Sequence, residues 1–261
     1  MKQLDGKTAI ILGASAKGNL GQTLAQRFLA EGANVVISGR REEELAEFTK
    51  THNCAYKPCD ITKKADCEAL AAFTQSQYGC IDIAINSTGW GLLVSFLETS
   101  EEDLAKMTAL QFVGPYYFYQ AVIPHMTQGG SLIQISSATA TIMLDNHAAY
   151  MGTKAGTDHV MRCIANEFGE KGIRANSISP GLTDTPMTEG AFAKPEVVAC
   201  FAREYPLGRV GTKEDIADAA VWLSQDSCFM TGQNLQVNGG LTLRRNPRAY
   251  EIAEAFMASG S

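Results

Sequence analysis

Short apolar runs alternate along the chain with segments of helical periodicity. Residues 8–12, Thr-Ala-Ile-Ile-Leu, read as a buried strand that Gly13 stops. Residues 20–31 read as a helix, with Leu24, Phe28 and Leu29 on one face and Gly32 just past the end. The same patterns predict strands at 34–38, 54–59, 81–85, 130–136, 173–179 and 234–237. They predict helices at 42–50, 63–78, 101–126, 147–170 and 213–224. Between them, 180–206 is polar and proline-containing, and a tail follows from Leu241.

Continuous apolar strands separated by amphipathic helices predict a parallel sheet covered on both faces. The expected fold is therefore α/β, a Rossmann-like doubly wound sheet in three layers, α/β/α. No repeat, charge block or linker divides the chain. A single domain is expected over 1–240, with 180–206 as a mobile substrate lid and 241–261 as a tail of the same domain or a subunit contact. In such sheets ligands sit beyond the carboxyl ends of the strands, so the loops there are where chemistry is sought.

Composition narrows the function. Among 261 residues, 22 basic against 28 acidic side chains leave a net charge of −6. That sign argues against a general grip on nucleic acid. No run of about 18 apolar residues suggests a membrane span, and no secretory signal is visible. The seven cysteines form no Cys-x-x-Cys pair, and the four histidines do not cluster with them. Free thiols in a reducing, cytoplasmic compartment and no metal site are expected.

The loop after the first strand reads Gly13-Ala14-Ser15-Ala16-Lys17-Gly18-Asn19-Leu20-Gly21. Glycines let a backbone approach a pyrophosphate, and the N–H groups opening the next helix attract its charge. The spacing matches neither G-x-G-x-x-G nor the G-x-x-x-x-G-K-[ST] loop, so glycines serving only a tight turn remain an alternative. The second strand ends Ser38-Gly39-Arg40-Arg41, with no acid before Glu42. A carboxylate there would hold ribose hydroxyls; an arginine instead pairs with a 2′-phosphate. Arg40, with Lys17 nearby, predicts NADP(H) over NAD(H); the alternative is two solvated arginines opening a helix.

Tyr150-Met151-Gly152-Thr153-Lys154 places a tyrosine and a lysine at i and i+4 on one helix face. A lysine charge ~5 Å from a phenol, at an effective dielectric of 20, is worth about 3 kcal/mol, roughly two pKa units. Ser137 lies thirteen positions before Tyr150, after an apolar strand. This arrangement resembles the short-chain dehydrogenase/reductases. The resemblance extends through the glycine loop, Asp60-Ile61, Asn86-Ser87-Thr88-Gly89, the stretch 176–181, Thr185 and Asn238-Gly239-Gly240. It implies that Tyr150 exchanges a proton with the substrate oxygen, that Ser137 orients that oxygen and that Lys154 also binds the nicotinamide ribose. It implies cofactor contacts from Gly13, Ser15, Lys17, Gly18, Asn19, Leu20 and Arg40. By the same resemblance Asp60 and Ile61 meet the adenine, Asn86 and Gly89 flank the ribose side, and Pro180, Gly181 and Thr185 border the nicotinamide. A homotetramer through two long helices and the terminal strand is implied as well.

Three departures stand out. The glycine loop is longer than the family's Gly-x-x-x-Gly-x-Gly; Asn-Asn-Ala-Gly has become Asn86-Ser87-Thr88-Gly89; and Gln111 occupies the place of a catalytic-tetrad asparagine. Trp90, Leu92, Leu93, Phe96, Met143, Leu144, Met187, Phe192 and Phe201 predict an apolar pocket for an alicyclic, terpenoid, steroid-like or aryl ketone, or else pack beneath the lid. His147 either touches substrate or lines the helix start. Arg244, Arg245 and Arg248 either grip an anion or meet solvent and a neighbouring subunit. The expected activity is interconversion of a small carbonyl and alcohol. An enoyl-thioester reductase and a non-catalytic dinucleotide sensor are the rival readings.

Overall fold

The computed structural model describes residues 2–258. Seven parallel strands form one sheet: β1 (Thr8–Leu12), β2 (Asn34–Gly39), β3 (Ala55–Pro58), β4 (Ile83–Asn86), β5 (Gly130–Ile135), β6 (Ile173–Pro180) and β7 (Asn234–Val237). Their order is β3-β2-β1-β4-β5-β6-β7. The chain runs outward in one direction from β1 to β3 and in the other from β4 to β7. The switch therefore lies between β1 and β4, whose carboxyl ends open the crevice.

Alternation along each strand feeds two cores. Ala9, Ile11, Val35, Ile37, Ile83 and Ile85 face one layer, where they meet Leu24 and Phe28 of α1 (Leu20–Ala30), Leu45 of α2 (Glu42–Thr51) and Val221 of α9 (Lys213–Ser224). Ile10, Leu12, Val36 and Ala84 face the other. There they meet Leu70 of α3 (Lys64–Tyr78), Phe118 of α5 (Gly114–Val122) and Met161 of α6 (Ala148–Phe168). The inner strands β1, β4, β5 and β6 are buried on both faces, which is why they read as largely apolar runs, whereas the edge strands β3 and β7 are only half-buried.

The helix expected over 101–126 is not continuous. α4 (Glu101–Thr108) leads into a π-helical turn over Ala109–Val113, then α5, and a 3-10 turn from Ile123 to His125 ends it. Pro115 has no N–H to offer the Gln111 carbonyl four residues back, and the Thr157 hydroxyl donates to that carbonyl at 2.6 Å instead. Residues 180–206 are also more ordered than a plain loop, with α7 (Glu189–Phe192) and α8 (Pro195–Ala202).

The tail carries a further helix, α10 (Ala249–Ala258). Ile252 and Ala255 pack against a small cluster of Ala138, Val197, Phe201, Tyr205 and Leu241, so tail and lid share a core of their own. The tail arginines are exposed and find partners within the chain. Arg245 bridges Glu204 at 3.0 Å and Glu251, and Arg248 meets Asp145 at 3.0 Å. Arg244 donates to the Arg203 carbonyl. Among the described residues, no helix is long and apolar enough to cross a membrane.

Candidate active site

The first loop builds one end of the crevice. Asn19 caps α1, its Oδ1 accepting from the Gln22 N–H at 3.0 Å while Nδ2 donates to the Gly13 carbonyl at 2.7 Å. Gly13 has φ +107°, and a Cβ there would lie 2.6 Å from Ser87 Oγ; one on Gly21 would lie 2.5 Å from the Gly13 oxygen. These glycines close the strand–turn–helix tightly and leave the start of α1 open to the cleft. Lys213, on α9, donates to the Gly18 carbonyl at 2.7 Å and braces the lengthened loop.

Of the residues expected at the dinucleotide, Gly13, Ser15, Asn19, Leu20, Arg40, Asp60, Ile61, Gly89, Pro180, Gly181 and Thr185 line one cleft. Lys17, Gly18 and Asn86 do not line it. Lys17 is exposed. Asn86 is wholly buried; its Nδ2 donates to Gln134 at 3.0 Å and its Oδ1 accepts from the Thr88 N–H at 3.0 Å. It shapes the turn from below, and Ser87 and Thr88 take its place in the wall. Arg41 also lines the cleft, its Nε donating to the Ser15 carbonyl at 2.6 Å; the pair Arg40-Arg41 was the signal for it. Burial raises the Asp60 carboxyl, but two hydrogen bonds from Thr62 and the Arg40 charge hold it below the usual range.

The opposite end of the same cleft holds Ser137, Tyr150 and Lys154. Ser137 follows β5, where its Oγ shares a hydrogen with Thr139 Oγ1 at 2.8 Å and accepts from the Thr139 N–H. Lys154 Nζ donates to the Ile135 carbonyl at 2.8 Å and lies 5.6 Å from the centroid of the Tyr150 ring. The sequence led us to expect a phenol lowered by the lysine. The structure reverses this: burial pushes Tyr150 up to about 12, with Ser137 pulling the other way, and lowers Lys154 to about 8. Protein around both groups costs each its charged form.

His147 stacks on Tyr150, ring centroids 4.2 Å apart, and its Nδ1 donates to the Leu92 carbonyl at 2.7 Å. A carbonyl only accepts, so Nδ1 bears the proton; burial lowers the imidazole pKa. His147 thus fixes the plane of the phenol and ties α6 to the 90–96 loop. The Val94 N–H donates to the Asn146 carbonyl, and Asn146 is the one non-glycine residue at positive φ among those described, +60°.

Gln111 is buried beside this site without a hydrogen bond to Lys154. Its Nε2 donates to Thr153 Oγ1 at 3.2 Å, and its Oε1 accepts from the Trp90 N–H at 3.3 Å. The longer amide reaches past the lysine to the Gly89-Trp90 loop. The sequence does not reveal Thr157 or Thr183; the first holds the Gln111 carbonyl and the second lines the cleft, as does Met187, which was expected at the substrate.

A family model described as Enoyl-(Acyl carrier protein) reductase matches residues 13–242. The chain is 34% identical over 250 residues to 3beta-hydroxysteroid dehydrogenase 1 of Eggerthella lenta, covering 92% of this chain and 95% of that one. The structure resembles that of a short-chain type dehydrogenase/reductase from Mycobacterium ulcerans, with a TM-score of 0.89 at 29% identity over 93% of this chain and 92% of that one. It also resembles a gluconate 5-dehydrogenase from Burkholderia cenocepacia in complex with NADP and tartrate, with a TM-score of 0.87 at 26% identity over 92% and 97%. With the fold, the crevice and these matches in agreement, the chain belongs to the short-chain dehydrogenase/reductase family of oxidoreductases, which act on CH–OH groups.

Proposed function

We propose that this chain is an NADP(H)-dependent oxidoreductase that interconverts a ketone and a secondary alcohol on a small, apolar substrate. The observation that carries the reading is one cleft lined by the glycine loop and Arg40 at one end and by Ser137, Tyr150 and Lys154 at the other. The glycine loop and the start of α1 would hold the pyrophosphate, Arg40 and Arg41 the 2′-phosphate, and Asp60 and Ile61 the adenine. Gly89, Pro180, Gly181 and Thr185 would border the nicotinamide. Bound there, the nicotinamide supplies or accepts the hydride.

The residues of this chain do the rest. In reduction Tyr150, protonated well past neutral pH, donates to the carbonyl oxygen as charge builds on it. Ser137 turns its hydroxyl from Thr139 to the same oxygen and stabilises that charge. Lys154 sits behind the phenol as an ammonium, favouring the phenolate left after transfer and binding the ribose hydroxyls. Gln111 and Thr157 fix the helices around it. Residues 180–206 act as the lid, within one domain over 1–240.

The cleft mouth supports an apolar substrate. Met187, which lines the cleft, is 55% exposed, and Leu93 and Met143, on the loops expected to meet substrate, are 66% and 67% exposed. The 3beta-hydroxysteroid dehydrogenase relative matches a steroid-like or alicyclic ketone better than the gluconate dehydrogenase does. A second reading, enoyl-thioester reduction, is favoured by the description of the matching family model; the Tyr150–Lys154 spacing, tighter than that branch uses, opposes it. Turnover of saturated ketones against an enoyl thioester separates the two. Tyr116 on α5 and the fully exposed Phe229 suit a homotetramer, and seven free cysteines suit the cytoplasm.

Thermal melts with NADPH and NADH at matched concentration test the cofactor. A ligand at about 100 times its Kd stabilises by about 2.7 kcal/mol. The expected result is a larger shift with NADPH; a larger shift with NADH would overturn the cofactor choice, and none with either would overturn the function.

A further inference from the structure

Tyr150, Lys154 and Asp158 follow one another at four-residue spacing along α6, so the three side chains share one stripe of the helix. Asp158 Oδ2 accepts from Ser136 Oγ at 2.7 Å and from Asn234 Nδ2 at 2.7 Å. Lys154 donates to the carbonyl of Ile135. Two consecutive residues leaving β5 are thus tied to two consecutive turns of α6, immediately before Ser137. The second carboxylate oxygen, Oδ1, is buried with no partner at hydrogen-bonding distance. Burial raises the Asp158 carboxyl above its ordinary pKa, while Ser177, Ser136, the Lys154 charge and Asn234 pull it back towards the carboxylate. The groups around Asp158 from three strands are donors, Ser136, Ser177 and Asn234. Such a pocket suits an anion, and a buried half-paired carboxylate is retained at a cost that packing alone does not explain.

We propose that Asp158 is a positioning residue of this active site: its carboxylate holds the Lys154 ammonium in its charged form and, through Ser136, fixes the exit of β5 that presents Ser137. The inference rests on the carbonyl-reductase reading above. Burial alone drives Lys154 towards its neutral form, and the Asp158 charge opposes that. The same charge raises Tyr150, which keeps the phenol a proton donor in reduction. The other titratable groups facing this interior are His147 at the start of α6 and Tyr119 on α5. Burial holds the first below and the second well above its ordinary pKa, so both are neutral at working pH. β5, β6 and β7 present only hydroxyl and amide groups here, from Ser136, Ser137, Ser177 and Asn234.

Two measurements on full-length protein test the role, with Asp158→Asn as the variant and Asp158→Glu as the charge-preserving control. The first follows the 13Cε resonance of Lys154 against pH, assigned by its loss in Lys154→Met, and needs no substrate. Removing an opposite charge one helical turn away lowers the midpoint by about one pH unit, a tenfold fall in the ratio of charged to neutral lysine. Asp158→Glu restores most of it. The second is the pH profile of kcat for NADPH-driven ketone reduction. Its alkaline limb moves to lower pH by the same amount while KM for the ketone changes little. If Asp158→Asn does not fold, Asp158→Ser, smaller at the same place, takes its part in both. An unmoved Lys154 midpoint in a folded variant overturns the proposal, as does a moved midpoint with an unmoved kcat profile. If the wild-type chain turns over no ketone, the reading of function fails on its own, and the resonance still decides the Asp158–Lys154 coupling.

Discussion

Replacing Thr157 with valine tests how the π-helical turn is held. The Thr157 hydroxyl donates to the Gln111 carbonyl at 2.6 Å, where Pro115 has no N–H to give, and the residue is 1% exposed. Valine keeps the shape and removes the donor, leaving a buried carbonyl short of a partner, which costs about 1–3 kcal/mol. For 261 residues at roughly 2.1 cal/mol/K per residue, the unfolding entropy is about 0.55 kcal/mol/K, so a 2 kcal/mol loss lowers Tm by about 4 °C. Thr157→Ser should lose far less. The sharper test is the cycle with Pro115→Ala, which returns an N–H to the helix but loosens the unfolded chain by about 0.4–1 kcal/mol. If the account is right, alanine at 115 is less harmful, or helpful, once Thr157 is valine, with a coupling above about 0.5 kcal/mol in urea unfolding. Additive effects would show that the hydroxyl and the missing N–H are unrelated, and the explanation of the turn would fall.

Other outcomes follow from the site. Arg40→Ala should weaken NADPH by about 10- to 100-fold, the worth of a charge-assisted pair, and leave NADH unchanged in fluorescence titration; Lys17→Ala, outside the cleft, should change neither. Lys154 sits at about 8, below the ordinary lysine value, so it loses its proton as pH rises through 8. Reduction should therefore fall off above that pH, and a flat profile to pH 10 would contradict the requirement for an ammonium. Arg245→Ala breaks the clamp on Glu204 and Glu251; limited trypsin digestion should then cut faster around 244–248, while an unchanged rate would show that the tail is held by Ile252 and Ala255 alone.

The sheet was legible because its inner strands are buried on both faces, which leaves an unbroken run such as Thr8–Leu12 between amphipathic helices. The catalytic end was legible because Tyr150 and Lys154 are four apart on one helix, a local spacing. What stayed hidden depends on partners distant in sequence. α8 and α10 acquire an apolar side only when Phe201 and Ile252 join one cluster. The π-helical turn needs Thr157, 46 residues beyond Gln111. The tail arginines read as free charges until Glu204 and Asp145 are placed beside them. Proximity of Lys17 to the glycine loop in sequence does not place its side chain in the cleft, which it does not line. The expected lowering of Tyr150 assumed a half-aqueous dielectric, whereas burial raises the phenol, against a hydrogen bond from Ser137.

The most direct measurement of the central claim is NADPH consumption at 340 nm with a panel of alicyclic and aryl ketones, in the wild-type chain and in Tyr150→Phe. Removing a positioned general acid costs about 10²- to 10⁴-fold, so the wild type should turn over at least one ketone and the variant should lose that turnover while binding NADPH as before. A variant that reduces the same ketone at the wild-type rate would contradict the assignment of Tyr150 as the proton donor and, with it, the account of this active site.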